Sequence, residues 1–361
     1  MIRKLREWLE IRLGLDEIIR SQLTEYRVPK NINLFYTLGM MAFAAFLLQV
    51  FTGILLLFYY IPDEKEAFQS IQLIMNQVPY GWLFRLMHTV GSNLMVAVVI
   101  VHMGSVFFLG AYKKPRELTW VVGACLLLTT LGFCLSGYLL PWSQLSFWAT
   151  TVVTNIPTAF PFIGDLICKL LRGGENVSGT TLNRFFAVHV AFLPLLLVAL
   201  FGLHAFLVRR IGISAPPSDD VKPQPWAQFR HDSPPDGLPF YPNFVAKETV
   251  MTAVYLVVMF LIIAFAPALF FPADAITPAD PLNTPEHIRP EWYFLAPYEM
   301  LKLIPNRFLG IALQLILVVV FIFWPFIDQA EEENILKRRG LLTLFGLTLV
   351  VWIGLTLWGS F

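Results

Sequence analysis

Between Arg85 and Lys113 the chain runs for 27 residues without an Asp, Glu, Lys or Arg. About 20 apolar residues suffice to cross the hydrocarbon core of a bilayer. Seven segments of this kind recur, at Leu34–Tyr60, Leu86–Tyr112, Leu118–Leu140, Phe185–Val208, Thr249–Phe271, Phe308–Ile327 and Gly340–Phe361. Open sheets leave backbone groups unsatisfied in lipid, so the spans must be helices. The expected class is therefore all-α, a polytopic membrane protein with seven spans. Composition agrees, with 57% hydrophobic and 14% charged residues, and a net charge of +1 gives no footprint for nucleic acid.

Seven spans alternate the loops between two sides. The set formed by residues 1–33, 113–117, 209–248 and 328–339 holds 18 of the 26 Lys and Arg residues, which predicts that it is cytoplasmic. The N-terminus is then inside, the C-terminus outside, and the long loops 141–184 and 272–307 share the outer face. Residues 1–30 scatter charges among Leu5, Leu9, Leu13, Ile18 and Ile19, with no uninterrupted apolar core of the kind an export signal has. That pattern predicts an amphipathic helix lying on the membrane surface. It is followed by a four-helix unit at 31–212, a proline-rich linker at 213–248 and a three-helix unit at 249–361. The three cysteines form no close pair and no C-x-x-C-H haem-attachment motif; Cys125 and Cys134 read as small hydrophobes.

Four of the six histidines lie inside spans, His88 and His102 in the second and His189 and His204 in the fourth. The separations are 14 and 15 residues, or about 21 to 23 Å of helix rise. Fourteen residues return to the same face within roughly 40°; fifteen overshoot by about 60°, which a small bend or local overwinding would absorb. Both helices run the same way, so His88 is level with His189 and His102 with His204. One intramembrane histidine is most simply an interhelical hydrogen bond or a proton relay. Two matched pairs at two matched depths ask for more. A bare metal ion wants three or four protein ligands, and each level offers two. A haem supplies the four equatorial nitrogens itself, and bis-histidine ligation leaves no open iron position, which favours electron transfer.

Gly39 and Gly53 in the first span, and Gly123 and Gly137 in the third, repeat the 14-residue period. Glycine inside a helix costs roughly 0.5–1 kcal/mol against alanine. Tight helix packing is the plain reason for such glycines in membranes; the shared period favours clearance for a flat macrocycle. Haem propionates need cations, and Arg85 and Arg184 flank the outer level, with Arg116 and Arg209 near the inner one. Each is equally an interfacial anchor by position.

The segments "RLMHTVGSNL", "KKPRELTW", "GYLLPWSQLSFWATTVVTNIP" and "TPEHIRPEWYFLAPYEMLKLIPN" resemble the motifs of the Rieske/cytochrome b family, the cytochromes b of quinol–cytochrome c oxidoreductases, over about Asn31 to Pro325. The PEWY tetrapeptide, Pro290–Tyr293, is its most specific mark. The amphipathic start, the 14 residues between His189 and His204, and "RRIGISAPP" look like the chloroplast-type branch, whose two halves are separate chains but are fused here. The resemblance implies two non-covalent b haems, a low-potential one on His88 and His189 and a high-potential one on His102 and His204. It implies that Glu291 accepts a proton from quinol, assisted by Tyr298, in a pocket of Tyr138, Phe147, Trp148, Pro290, Trp292 and Tyr293. Arg85 and Arg116 would meet propionates, and Arg209, Lys247 and Glu248 would form an inner quinone site. Implied partners are a Rieske iron–sulfur protein, a c-type cytochrome and a second copy of the complex, in a bacterial inner membrane.

Two positions depart from the pattern. Thr37 stands where the chloroplast-type branch carries a cysteine for an extra haem, so a covalent third haem is not expected. Ser105 stands where many relatives carry an arginine, which shifts the expected propionate contact to Arg116 or a lipid-facing arginine. Two other readings fit the histidines alone: a dihaem anchor between quinone and a dehydrogenase, and a haem-free histidine-relay transporter. The anchor has no use for a PEWY loop, and bound haem separates the transporter from the redox readings.

Overall fold

The computed structural model describes residues 2–217, 237–286 and 288–360. Helix α1 (Ile2–Leu13) and the short α2 (Leu15–Ile19) open the chain. Gly14 between them is left-handed at φ 58°, so the expected single amphipathic helix is broken in two. Strand β1 (Arg27–Val28) comes next and pairs antiparallel with β2 (Leu238–Pro239), tying this arm to the chain far downstream. The remaining helices are α3 (Leu38–Leu57), α4 (Ala67–Asn76), α5 (Gly81–Phe108), α6 (Glu117–Leu139), α7 (Gln144–Asn155), α8 (Gly164–Arg172), α9 (Gly179–Ala187), α10 (Leu193–Ile211), α11 (Val245–Phe265), α12 (Trp292–Leu303), α13 (Arg307–Ile322), α14 (Trp324–Ile327) and α15 (Arg339–Ser360).

Six helices among the described residues are long and apolar enough to cross a membrane, built on α3, α5, α6, α9 with α10, α11 and α15. The seventh, α13, is apolar but shorter, because the chain breaks at Phe323 ahead of Pro325, which cannot continue an i→i−4 ladder. The span expected to end at Phe271 stops at Phe265, just before Pro267. At its other end α11 starts at Val245, so Lys247 and Glu248 are helical and not in a linker. Residues 218–236 of that linker, His287 and Phe361 lie outside the described residues.

Helix α3 packs along α5, α10 along α6, and α11 leans on α3 and α5. Leu38, Met41, Ala45, Phe46, Met95, Leu197 and Tyr255 form the apolar core joining these helices, and the Tyr255 hydroxyl donates to the Gly91 carbonyl at 3.0 Å. The two long loops meet. Gln144 at the start of α7 accepts from the Asp280 amide at 2.8 Å and donates to the Asn283 carbonyl at 2.9 Å. At the opposite end of the bundle an ionic cluster pins the α14–α15 connection to the turn after α5. Asp328 accepts from Arg338 at 2.7 and 2.5 Å and from the Tyr112 hydroxyl, and it pairs with Lys113 at 3.2 Å. Burial alone would raise its pKa, but these donors hold the carboxyl well below the usual carboxylate range.

Candidate functional site: two histidine levels and a connected chamber

Helix periodicity brings the four histidines into two facing pairs. His88 on α5 and His189 stand with ring centroids 6.3 Å apart at 70°. His102 and His204 are close enough to interact electrostatically. Each glycine of the 14-residue pattern stands against a different histidine. A Cβ added at Gly53 would lie 3.3 Å from His88 Cε1, at Gly137 2.7 Å from His189 Cε1, at Gly39 3.4 Å from His102 Cε1 and at Gly123 3.3 Å from His204 Cε1. The partners cross over in order, 39 with 102 and 53 with 88, because α3 and α5 are antiparallel.

The extra residue between His189 and His204 is not absorbed by overwinding. Residues Val188–Phe192 form a π-turn, wider than an α-turn, centred beside His189. A π-turn accommodates one additional residue without rotating the helix beyond it. His189 and His204 thereby regain the effective spacing of His88 and His102.

The unused ring nitrogens are treated differently at the two levels. Thr52 Oγ1 lies 2.9 Å from His88 Nδ1 and Ser136 Oγ 3.0 Å from His189 Nδ1. His102 Nδ1 is buried without a hydrogen-bond partner, and His204 meets only the Thr119 backbone. Thr52 and Ser136 escaped sequence reasoning; their only signal is a hydroxyl residue directly preceding a patterned glycine. These features fit a flat macrocycle held at each level through Nε2: two imidazoles, and helix faces kept bare by glycine. Among the described residues no group of three or more His, Cys, Asp or Glu side chains is arranged to hold a metal ion by itself.

A cavity of about 410 Å³ connects the His88 level to the PEWY segment. Gly53, His88, Gly137, His189 and Arg85 wall one part of it, and Tyr138, Phe271, Glu291 and Tyr293 another. Glu291 occupies the N-cap position of α12, yet its side chain makes no capping bond, so the carboxyl is left to the chamber. Burial pushes its pKa up from 4.5 to about 7. The buried Arg85 places its guanidinium 5.0 Å from the Phe271 ring centroid. A second, small cavity of about 30 Å³ adjoins Glu291, walled by Cys134, Tyr138, Thr150, Pro290 and Tyr293. That is room for one water.

Other expected pocket residues point elsewhere. Phe147 packs edge-on against Trp142 at 5.5 Å, and Trp148 donates its indole N–H to the Asp280 carbonyl at 3.3 Å. Trp292 donates to Asn93 Oδ1 at 3.0 Å, and Tyr298 lies under the Lys302 ammonium at 4.4 Å. None of these four lines either cavity. Adjacent residues on a helix face about 100° apart, so a run of aromatics cannot all reach one pocket. Arg184 is likewise drawn away, donating to the Leu170 carbonyl on α8.

At the His102 level, Thr37 donates to the Leu34 carbonyl at 2.7 Å and Ser105 to the His102 carbonyl at 2.7 Å. Arg116 reaches the Gly212 carbonyl with Nε at 3.4 Å and interacts with Tyr36. Arg209 stacks on Tyr26 at 4.1 Å and Phe240 at 4.8 Å and donates to the Gln22 carbonyl at 2.9 Å. The buried Glu248 interacts with it electrostatically, while Lys247 is half-buried nearby on α11. The N-terminal arm thus completes this cluster, which no motif in the sequence announces.

Comparison with known proteins bears on the whole chain. The sequence profile of the Cytochrome b/b6/petB family matches residues 23–212, and that of the Cytochrome b(C-terminal)/b6/petD family matches residues 278–361. Cytochrome b of Rickettsia conorii is 38% identical over 328 residues, 91% of this chain and 79% of the relative. Cytochrome b of Allochromatium vinosum is 35% identical, covering 91% and 81%, and that of Cyanidium caldarium 34%, covering 94% and 86%. A solved structure described as a hyperthermophilic respiratory Complex III superposes with a TM-score of 0.90 at 36% identity, covering 98% of this chain and 91% of its own. With both family segments in one polypeptide and the fold shared end to end, this integral membrane chain belongs to the cytochrome b/b6 family.

Proposed function

We propose that the chamber between the His88 level and Glu291 oxidises quinol, and that each histidine pair holds one haem b iron through Nε2. A cytochrome b is the catalytic core of a quinol–cytochrome c oxidoreductase, and haem b is the family's cofactor. The observation that carries the reading is a single cavity with both His88 and His189 and the Glu291 carboxyl in its walls.

Oxidising a quinol releases two protons and two electrons, so the site needs a proton acceptor beside an electron acceptor. Glu291 takes a hydroxyl proton; a pKa of about 7 balances carboxylate availability against basicity near neutral pH. Tyr138 and Tyr293 line the small cavity beside that carboxyl. Arg85, buried at the other end, meets a propionate with a fixed positive charge. When bound, the two haems supply one-electron transfer between levels about 21 Å apart, most of an apolar core roughly 30 Å thick.

The second electron leaves to a Rieske iron–sulfur protein and onward to a c-type cytochrome. Arg209, Lys247 and Glu248 form the quinone-reduction site at the opposite face, and Arg116 serves the propionates there. The Lys and Arg bias supports a cytoplasmic N-terminus in a bacterial inner membrane, with the His88 level outermost. The working unit is a dimer of the multisubunit complex. The test is Glu291→Gln in the purified complex: quinol oxidation is expected to fall by on the order of 10²-fold with both haems retained. Unchanged turnover would remove Glu291 from the mechanism.

A further inference from the structure

The residue preceding each patterned glycine divides the two histidine levels. Thr52 precedes Gly53 and Ser136 precedes Gly137, whereas Leu38 precedes Gly39 and Val122 precedes Gly123. The spans repeat every 14 residues, so each of these four positions stands in the same relation to the histidine of its own level. Two carry a hydroxyl and two cannot make a hydrogen bond. All four are buried.

The hydroxyl hydrogens are already committed. Thr52 Oγ1 donates to the Leu48 carbonyl at 2.8 Å, and Ser136 Oγ donates to the Gly132 carbonyl at 2.8 Å. Each oxygen then has only lone pairs to offer the imidazole, 2.9 Å away at His88 and 3.0 Å at His189. Where Nε2 serves as the ligand atom, the hydrogen sits on Nδ1, and each hydroxyl oxygen is placed to accept from it. At the other level no hydroxyl reaches either ring: His102 Nδ1 is buried with no partner, and His204 meets only the Thr119 backbone.

We infer that Thr52 and Ser136 are positioning residues that set the two haem levels apart in redox potential. This rests on the reading of the four histidines as axial ligands. An acceptor on Nδ1–H fixes the ring and raises the basicity of Nε2. A more basic ligand favours the ferric state, so Thr52 and Ser136 lower the potential at the His88 level. Leu38 and Val122 leave the His102 level higher. Electrons entering beside the quinol chamber are thus directed away from it, toward His102 and His204.

The test is a redox titration of the intact complex carrying Thr52→Val, Ser136→Ala, Ser136→Thr or Val122→Ser, with the two b-type waves resolved optically and by low-spin EPR. Thr52→Val and Ser136→Ala are expected to raise the lower wave and leave the upper one in place. One lost hydrogen bond changes the ferrous-to-ferric ratio at fixed ambient potential by about two- to tenfold, tenfold being 59 mV for a one-electron couple. Ser136→Thr keeps the wild-type value. Val122→Ser adds a group at the other level and lowers the upper wave, so it decides the matter even where a deletion variant does not retain haem. A lower wave that stays put or falls in the deletion variants, or two waves moving together, would overturn the inference. Failure of the wild-type complex to show two low-spin haems is a separate result, and it would instead overturn the assignment of the histidines.

Discussion

If Glu291 is the proton acceptor proposed above, it has to be a carboxylate to act, and burial that raises its pKa to about 7 sets the pH at which it becomes one. Below pH 7 it is protonated and idle; quinol oxidation is expected to rise as pH passes through about 7, and Glu291→Gln to flatten that limb in a pH–rate profile. The same upward shift means the unfolded chain ionises first, so Glu291 subtracts stability as pH climbs from 4.5 to about 7. The glycines make a graded prediction. Gly137→Ala brings a Cβ to 2.7 Å from His189 Cε1, while Gly39→Ala brings one only to 3.4 Å from His102 Cε1. Haem quantification should therefore find the His88-level haem lost from the first variant and largely kept in the second. The histidines and glycines were legible in the sequence because spacing along a helix converts directly into depth and facing. Thr52 and Ser136 were not, since a hydroxyl inside a span is usually satisfied by its own helix, as theirs partly are. The aromatic neighbours Trp148 and Trp292 misled for the opposite reason: a motif names a stretch, whereas a pocket selects one face of it.

Elements were legible as spans and blurred at their ends. Charge-free runs mark what lipid tolerates, but Pro267 and Pro325 decide where α11 and α13 stop. The π-turn at Val188–Phe192 is the one element that the 15-residue spacing demanded, though as a widened turn and not a tightened one. The connection between α14 and α15 gave no sign of its role, because an Asp, a Lys and an Arg spread over 113–338 meet only in the folded chain. Asp328 there is buried among Arg338, Lys113 and Tyr112. Leaving these cations without their anion should be costly: Asp328→Asn is expected to destabilise by about 3–5 kcal/mol, the range for breaking a buried pair, read as a lowered thermal midpoint in detergent. Its carboxyl pKa is depressed from 3.8, so its stabilisation is present above that value and lost as pH falls below it. The difference in midpoint between wild type and Asp328→Asn should accordingly shrink below about pH 4.

At the scale of the molecule, a four-helix unit carries the histidine levels and the later helices bring the PEWY segment against it. Neither part forms the chamber alone: Gly53, His88, Gly137 and His189 come from one, Phe271, Glu291 and Tyr293 from the other. Gln144, bonded to both Asp280 and Asn283, fastens the loop of the first to the loop of the second. The fusion of both family segments into one chain keeps that register covalent. The central claim is that this scaffold holds two bis-histidine haems, one of them beside the proton acceptor. The most direct measurement is haem stoichiometry with low-temperature EPR on the purified intact complex. Two b haems per chain, both low-spin, with loss of one on His88→Ala or His189→Ala and of the other on His102→Ala or His204→Ala, is the predicted result. Fewer than two haems in the wild type, or a high-spin iron with an open coordination position, would contradict it.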